Sequence, residues 1–285
     1  MENPWIERRV VAFAHQGGSF EGPSSTLHAI AHALDAGATA MELDVHATKD
    51  RHIVVCHDET VDRTTNHHGE IATLTLAEIR EMDNAYWWAP GAAVSPGEPD
   101  SSYPLRGLAP RDRSLGVATL EEVCTAFPGV PLNMDIKRTS PDVESYEELL
   151  ADELRRLERT SSVIVASFSD DAIHAFRSVA PEVHTSAATN ETAAFYFGSR
   201  DGATPQPLSV CALQVPATFG DIKVVDEDFV RAAHAAGIAV HVWTINDVAE
   251  MQRLLDLDVD GLISDTPTAL VSVLQGRKCD WNGKL

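Results

Sequence analysis

Short apolar runs alternate along this chain with longer amphipathic stretches rich in Ala and Leu, the order in which parallel strands and their covering helices follow one another. The runs are VVAFAH (10–15), AMELDV (40–45), PLNMDIK (131–137), VIVASF (163–168), VHTSAA (183–188), CALQVP (211–216), AVHVWTI (239–245) and DGLISD (260–265). Between them STLHAIAHALDAG stops at Gly37, SYEELLADELRRLER carries Glu and Arg at helical spacing, and EDFVRAAHAAG stops at Gly237. Glycine just beyond an amphipathic run is a common helix terminator. Eight strands, each followed by a helix, predict an α/β fold of the closed (β/α)8 TIM-barrel kind. A ninth run, HIVVCHD, follows AMELDV too closely for a parallel crossover. It must turn back through TKDRH as a hairpin, which brings His57 near Asp44.

Residues 84–118 break the rhythm. They are rich in Pro, Gly and Ser, yet contain Tyr86, Trp87, Trp88 and Tyr103. Disordered segments are poor in aromatics, so the stretch reads as an ordered insertion, a candidate lid near the substrate entrance. The 285 residues, 44% of them hydrophobic, fit one barrel domain spanning 1–285. No run approaches the length of a membrane span, and MENPWIERRVVAF lacks the pattern of a signal peptide, so a soluble, cytoplasmic protein is expected. A net charge of −21 argues against nucleic acid and anionic lipid as partners. Cys56, Cys124, Cys211 and Cys279 show no zinc-ligand spacing, and their scatter suits a reducing compartment.

The charge changes the picture at a few strand positions. Glu42 and Asp44 alternate with Met41, Leu43 and Val45, so both project from one face of a strand whose other face is apolar. Asp135 and Lys137 form a second such pair. Carboxylates converging in a buried site repel one another unless a cation stands between them, and all-oxygen ligation favours Mg2+ or Ca2+ over zinc. Lys137 suits a phosphate oxygen, and His15 and His57, at strand ends, are free for proton transfer.

Taken in order, His15-Gln16-Gly17, Pro23-Ser24-Ser25-Thr26, Glu42-Leu43-Asp44, His57-Asp58, Asp135-Ile136-Lys137, Trp243-Thr244-Ile245-Asn246 and Gly261-Leu262-Ile263-Ser264-Asp265-Thr266-Pro267 resemble the glycerophosphodiester phosphodiesterase family over nearly the whole chain outside 84–118. The resemblance implies metal-dependent hydrolysis of a glycerophosphodiester to glycerol 3-phosphate and an alcohol. It implies that Glu42, Asp44 and Asp135 bind one divalent cation, Mg2+ or Ca2+, and that His15 and His57 are general acid and base. Gln16, Lys137 and Trp243 would contact the small-molecule phosphodiester, and the insertion would shape the entrance.

Three motifs depart from the family pattern. Gln16 stands for arginine, Ser24 and Ser25 for Glu and Asn, and Asp135 for a longer Glu. These departures motivate a catalytically silent phosphodiester-binding barrel as an alternative. A second alternative is a lysophospholipase-D-like activity on an acylated substrate admitted by an apolar lip at Trp87 and Trp88, residues that could equally pin the insertion to the barrel. His46 continues the Glu42 and Asp44 face as a rim residue or substrate contact, whereas His67 and His68 read as solvated loop residues. The Gly17-Gly18 pair could let backbone amides approach a phosphate. Arg106, Arg111 and Arg113 read as solvated charges, one of which could replace the charge missing at Gln16. Neither stable membrane insertion nor an oligomeric state is indicated.

Overall fold

The computed structural model describes residues 3–7, 10–137, 143–200 and 208–277. Helix α1 (Pro4–Glu7) precedes the barrel. Its strands are β1 (Val11–His15), β2 (Ala40–Ala47), β4 (Leu132–Ile136), β5 (Val163–Ala166), β6 (His184–Thr185), β7 (Ala212–Pro216), β10 (Ala239–Trp243) and β11 (Gly261–Ser264). Hairpin strand β3 (Ile53–Val55) pairs antiparallel with β2, and β8 (Thr218–Phe219) and β9 (Ile222–Lys223) form a separate hairpin after β7. The covering helices are α2 (Leu27–Ala36), α4 (Leu120–Ala126), α5 (Glu147–Arg156), α6 (Asp170–Val179), α7 (Thr189–Arg200), α8 (Glu227–Ala235), α9 (Val248–Asp256) and α10 (Pro267–Gly276), with a single turn α3 (Leu76–Ile79) between β3 and α4.

The sheet runs β6-β5-β4-β2-β1-β11-β10-β7 with every neighbouring pair parallel. All eight expected barrel strands form, but β6 is shorter than its run. The ring therefore closes between β6 and β7 only through a single bridge, Ser186 to Ala212, supported by Cys211 N–H donating to Thr185 O and Ala187 N–H to Ala212 O. Every residue of β2 is buried. Met41, Leu43 and Val45 face the helices in the main core cluster, while Glu42 and Asp44 face the barrel interior and its cavity.

Helix ends follow local chemistry. Thr26 caps α2 through the Ala29 N–H, and Gly37 closes it in the left-handed region at φ 105°. Thr119 and Glu122 form a reciprocal capping box on α4. The N-terminal end of the barrel is plugged by α1, which no strand or helix periodicity in the sequence marks. Trp5 is fully buried, stacks on Phe13, meets His241 edge-on, and donates Nε1–H to His184 Nδ1 at 3.0 Å. Gly261 leaves room there, since a Cβ would stand 2.9 Å from the rings of both His241 and Phe13.

The insertion is ordered around one guanidinium. Arg106 lies over the rings of Tyr86, Trp87 and Tyr103, 3.6 Å from the last centroid. Trp88 Nε1–H donates to Ser19 O, Asn84 Nδ2–H to Ser24 O and Gly91 N–H to Phe20 O. The aromatic residues thus pin the insertion onto the loop between β1 and α2. Arg106 pairs with Asp100 and Arg113 with Glu122, so neither supplies the charge absent at Gln16.

Candidate active site

The C-terminal strand ends open into one cavity of about 560 Å³. Register places its inner end. His15 lies opposite Glu42 across the β1–β2 pair, and Asp44 lies opposite Asp135 across the β2–β4 pair. The β2–β3 turn then returns the chain so that Cys56 N–H donates to Asp44 O, which brings His57 to the same mouth. The two imidazoles face each other edge to face with centroids 6.3 Å apart. His15, Glu42, Asp44, His57, Asp135, Lys137 and Trp243 all line the cavity, so the structure brings seven of the eight expected site residues together.

Gln16 is the exception. It is buried behind the cavity wall, its Oε1 accepts from Ser24 Oγ at 2.6 Å, and its Nε2 stands 3.3 Å from His15 Nε2. The carboxamide serves either protonation state of His15, because turning it over exchanges the atom offered to the imidazole. Gln16 therefore braces His15 and lies outside the cavity lining. Its φ of 52° begins a left-handed run through Gly17 and Gly18. Their amides are spent inside the turn, on Ala14 O and His15 O, so they offer nothing to a phosphate.

Each histidine is tethered by a carboxylate that strand patterning alone did not assign. His15 Nδ1 is 2.6 Å from Asp265 Oδ1, and Asp265 is fixed by Ser19 Oγ and Asn246 Nδ2. His57 Nδ1 is 2.6 Å from Asp58 Oδ1, and Asp58 is held on both oxygens by Arg63. Burial works against ionisation of Asp58, but the bonds from His57 and Arg63 prevail and hold its carboxyl well below the usual range. Burial likewise disfavours a charged His15, yet Glu42 and Asp265 outweigh it and push its pKa up to about 9. The positions carried a signal: Asp58 follows His57 directly, and Asp265 ends the last barrel strand.

At the floor Lys137 Nζ stands 3.1 Å from Asp44 Oδ1 and 3.0 Å from Asp135 Oδ2. Burial raises the pKa of Glu42, Asp44 and Asp135, and repulsion from neighbouring carboxylates adds to it at Glu42 and Asp44. Against its own burial cost, Lys137 is held above its ordinary value by Asp44 and Asp135. Asp44 Oδ1 is engaged only by that ion pair, while Asp44 Oδ2, Asp135 Oδ1 and Asn133 Oδ1 are buried without hydrogen-bond partners. Orphaned carboxylate oxygens beside one another fit a hard cation in donor chemistry. No cage is assembled: among the described residues, no three His, Cys, Asp or Glu side chains converge as a metal-holding group.

Among the described residues, the outer end has no charged lining. Phe168, Phe197, Phe219, Ile222 and Trp243 surround it, contributed by the loop after β5, by α7, by the β8–β9 hairpin and by β10. No residue of 84–118 lines the cavity, so the apolar lip expected at Trp87 and Trp88 is built elsewhere. The Gly220-Asp221 turn between Phe219 and Ile222 was the available signal for the hairpin. His46 is buried behind the site beside Tyr146 and does not reach the main cavity, and His68 is exposed as expected. Cys279 lies outside the described residues.

Residues 15–269 match the model of the glycerophosphoryl diester phosphodiesterase family. A Bacillus subtilis (strain 168) protein named glycerophosphodiester phosphodiesterase is 30% identical over 275 residues, covering 94% of this chain and 87% of its own. The glycerophosphoryl diester phosphodiesterase domain of an uncharacterized Mycobacterium tuberculosis protein superposes with TM-score 0.76 at 18% identity, covering 94% of this chain and all of that one. An Oleispira antarctica phosphodiesterase in complex with the product sn-glycerol-3-phosphate superposes with TM-score 0.70 at 21% identity, covering 95% and 99%. The two structures share the barrel fold.

Proposed function

The chain belongs to the glycerophosphoryl diester phosphodiesterase family, and on that footing we propose that it hydrolyses a glycerophosphodiester to glycerol 3-phosphate and an alcohol. The observation that carries the reading is the pair of carboxylate-tethered imidazoles facing each other beside Lys137 at the closed end of one cavity. The Oleispira antarctica protein holds the product such a reaction leaves.

Charge around the two rings divides their roles. His15 has Asp265 at 2.6 Å and Glu42 at 3.7 Å, which favour the imidazolium, so it is the proton donor. His57, whose Nδ1 is held by the Asp58 that Arg63 also binds, takes the complementary role of base. His57 takes the proton of the attacking group as its oxygen bonds to phosphorus. His15 gives a proton to the departing alkoxide as the other P–O bond breaks. When the attacking group is the neighbouring glycerol hydroxyl, a cyclic phosphate forms first and a second round consumes the water. Either route uses one water overall.

Glu42, Asp44 and Asp135 would hold one divalent cation, Mg2+ or Ca2+, which when bound draws charge from the phosphoryl oxygens. Lys137 pairs with a phosphoryl oxygen and offsets the carboxylates when the anionic substrate enters. Trp243 forms the wall opposite. The buried thiols of Cys56, Cys124 and Cys211 suit a cytoplasmic setting, and no described helix is long and apolar enough to cross a membrane.

The test is release of glycerol 3-phosphate from glycerophosphocholine and glycerophosphoethanolamine, with Mg2+, with Ca2+ and with chelator. Metal-dependent release is expected. Tight binding without release would replace the enzyme reading with that of a silent binding barrel.

A further inference from the structure

An eight-stranded parallel barrel fills its interior in layers of four side chains drawn from alternate strands. Stepping the observed register around the ring, with the one-residue offset per strand that closure requires, places Glu42 of β2, Ala166 of β5, Gln214 of β7 and Ile263 of β11 in one layer. All four line the active-site cavity. Beneath them Phe13 and His241, with ring centroids 4.9 Å apart, close the bore. This is therefore the deepest complete layer of the cavity. Strands β2 and β7 stand on opposite sides of the ring, so Gln214 faces Glu42 across it.

Gln214 is the polar member of this layer that neither proton transfer nor charge pairing uses. Its Nε2 stands 3.5 Å from Nδ1 of His241, its register partner on β10, and His241 is fully buried. With Nε2 turned to the imidazole, Oε1 is the atom left for the cavity. Asn133, beside Glu42 in the β2–β4 register, lines the same end, and its Oδ1 is buried without a hydrogen-bond partner. The bottom of the cavity is thus lined by acceptor oxygens: one carboxylate and two carbonyls. An anionic phosphate is repelled there and finds its cation higher, at Lys137 beyond Asp135 on β4. A hydroxyl brings the proton that these acceptors lack.

Of the two alcohols that a phosphodiester joins, one lies toward this closed end and the other toward the mouth. A single layer stopped by Phe13 and His241 suits a three-carbon polyol and halts anything longer. We infer that Gln214 is a specificity-determining residue which, with Asn133, receives the terminal hydroxyl of the glycerol unit at the bottom of the cavity. The inference rests on the phosphodiesterase reading and adds how the glycerol side is told from other small alcohols. A buried carbonyl set to accept from a hydroxyl rejects the analogue without it, because the acceptor is then left unpaired.

The test compares glycerophosphocholine with its 1,2-propanediol analogue, in which hydrogen replaces only the terminal glycerol hydroxyl, in the presence of Mg2+. Calorimetry with the two monoesters, sn-glycerol 3-phosphate and 1,2-propanediol 1-phosphate, reads binding without turnover. The wild-type protein should prefer the glycerol member of each pair by about 10–100-fold, in kcat/KM and in affinity. Gln214→Met, similar in length but without the carbonyl, should lower kcat/KM for glycerophosphocholine by about tenfold and leave the analogue within about twofold. Equal handling of the two members by the wild-type protein, or equal losses on both in the variant, would overturn the assignment. The wild-type comparison needs no variant, so it decides the matter even where Gln214→Met misfolds. If neither diester is cleaved, the phosphodiesterase reading fails, while the monoester pair still decides whether the hydroxyl is read. If neither monoester binds, the assignment falls with it.

Discussion

The two halves of the cavity are built on differently constrained parts of the same barrel. The inner, polar half stands on β1, β2 and β4, whose ladders are continuous and whose register sets His15 against Glu42 and Asp44 against Asp135. The outer, apolar half stands where β6 has shrunk to two ladder residues and the ring closes through one bridge. Acid–base chemistry needs groups held to a fraction of an ångström, which paired strands supply. A wall that buries apolar surface tolerates looser placement, because the hydrophobic effect is not directional. On the proposed mechanism, rigidity is thus concentrated where protons would move, and the looser helices and hairpins form the outer half.

The sharpest way to break this division is to remove either imidazole. His15→Ala and His57→Ala should each lower kcat by about 10²–10⁴-fold while the circular-dichroism melt stays in place. A variant that keeps near wild-type turnover would move the chemistry elsewhere. Next in size, chelation should cut turnover on the order of 10²-fold, restored by Mg2+ or Ca2+. Unchanged turnover in chelator would leave Lys137 as the sole charge on the phosphate and remove the cation from the inner half.

Acid should destabilise the barrel through its buried histidines. Burial pushes His241 on β10 down to about 4, with Asp260 only partly opposing it. Below about 6.5 the unfolded chain takes a proton that the folded protein refuses. Stability is therefore complete above that pH and falls as pH drops toward 4, by on the order of 3 kcal/mol for this residue. Buried His46, also pushed down to about 4, adds in the same direction. Urea denaturation at pH 7 and pH 4.5 measures the fall, and His241→Leu should flatten part of it.

Smaller still is the insertion. Arg106→Leu removes the cation shared by three rings and should cost roughly 1–2 kcal/mol, with kcat unchanged because the insertion lines no part of the cavity. A fall in kcat there would show that bracing the β1–α2 loop reaches His15. The smallest effect belongs to the rim: Phe219→Ala, at an exposed site, should change stability by no more than about 0.5 kcal/mol.

Much of this was legible in the chain. Alternating apolar and amphipathic stretches fixed eight strands and their helices, because each pattern buries its face in only one type of element. The i, i+2 spacing of Glu42 with Asp44, and of Asp135 with Lys137, placed them on an inward face, and the short TKDRH link forced the hairpin that carries His57. Side-chain partners were another matter. Asp265 reaches His15 across 250 residues of chain, and Arg63 reaches Asp58 around a loop that has no periodicity to read. Gln16 occupies a motif position expected to touch substrate, but its left-handed backbone turns the amide toward Ser24 and away from the cavity.

The insertion carries the same lesson. Its aromatics predicted order, and order is what they provide, but which surface they cover depended on where Ser19, Phe20 and Ser24 present their carbonyls. The apolar mouth came from residues that no local pattern joins. The sequence by itself determined the barrel and the residue types at its strand ends, since periodicity and connection length act over a few neighbours. Only the tertiary structure decided which carboxylate holds which imidazole and which elements wall the cavity, because those contacts join residues that are distant in the chain and adjacent only once the ring has closed.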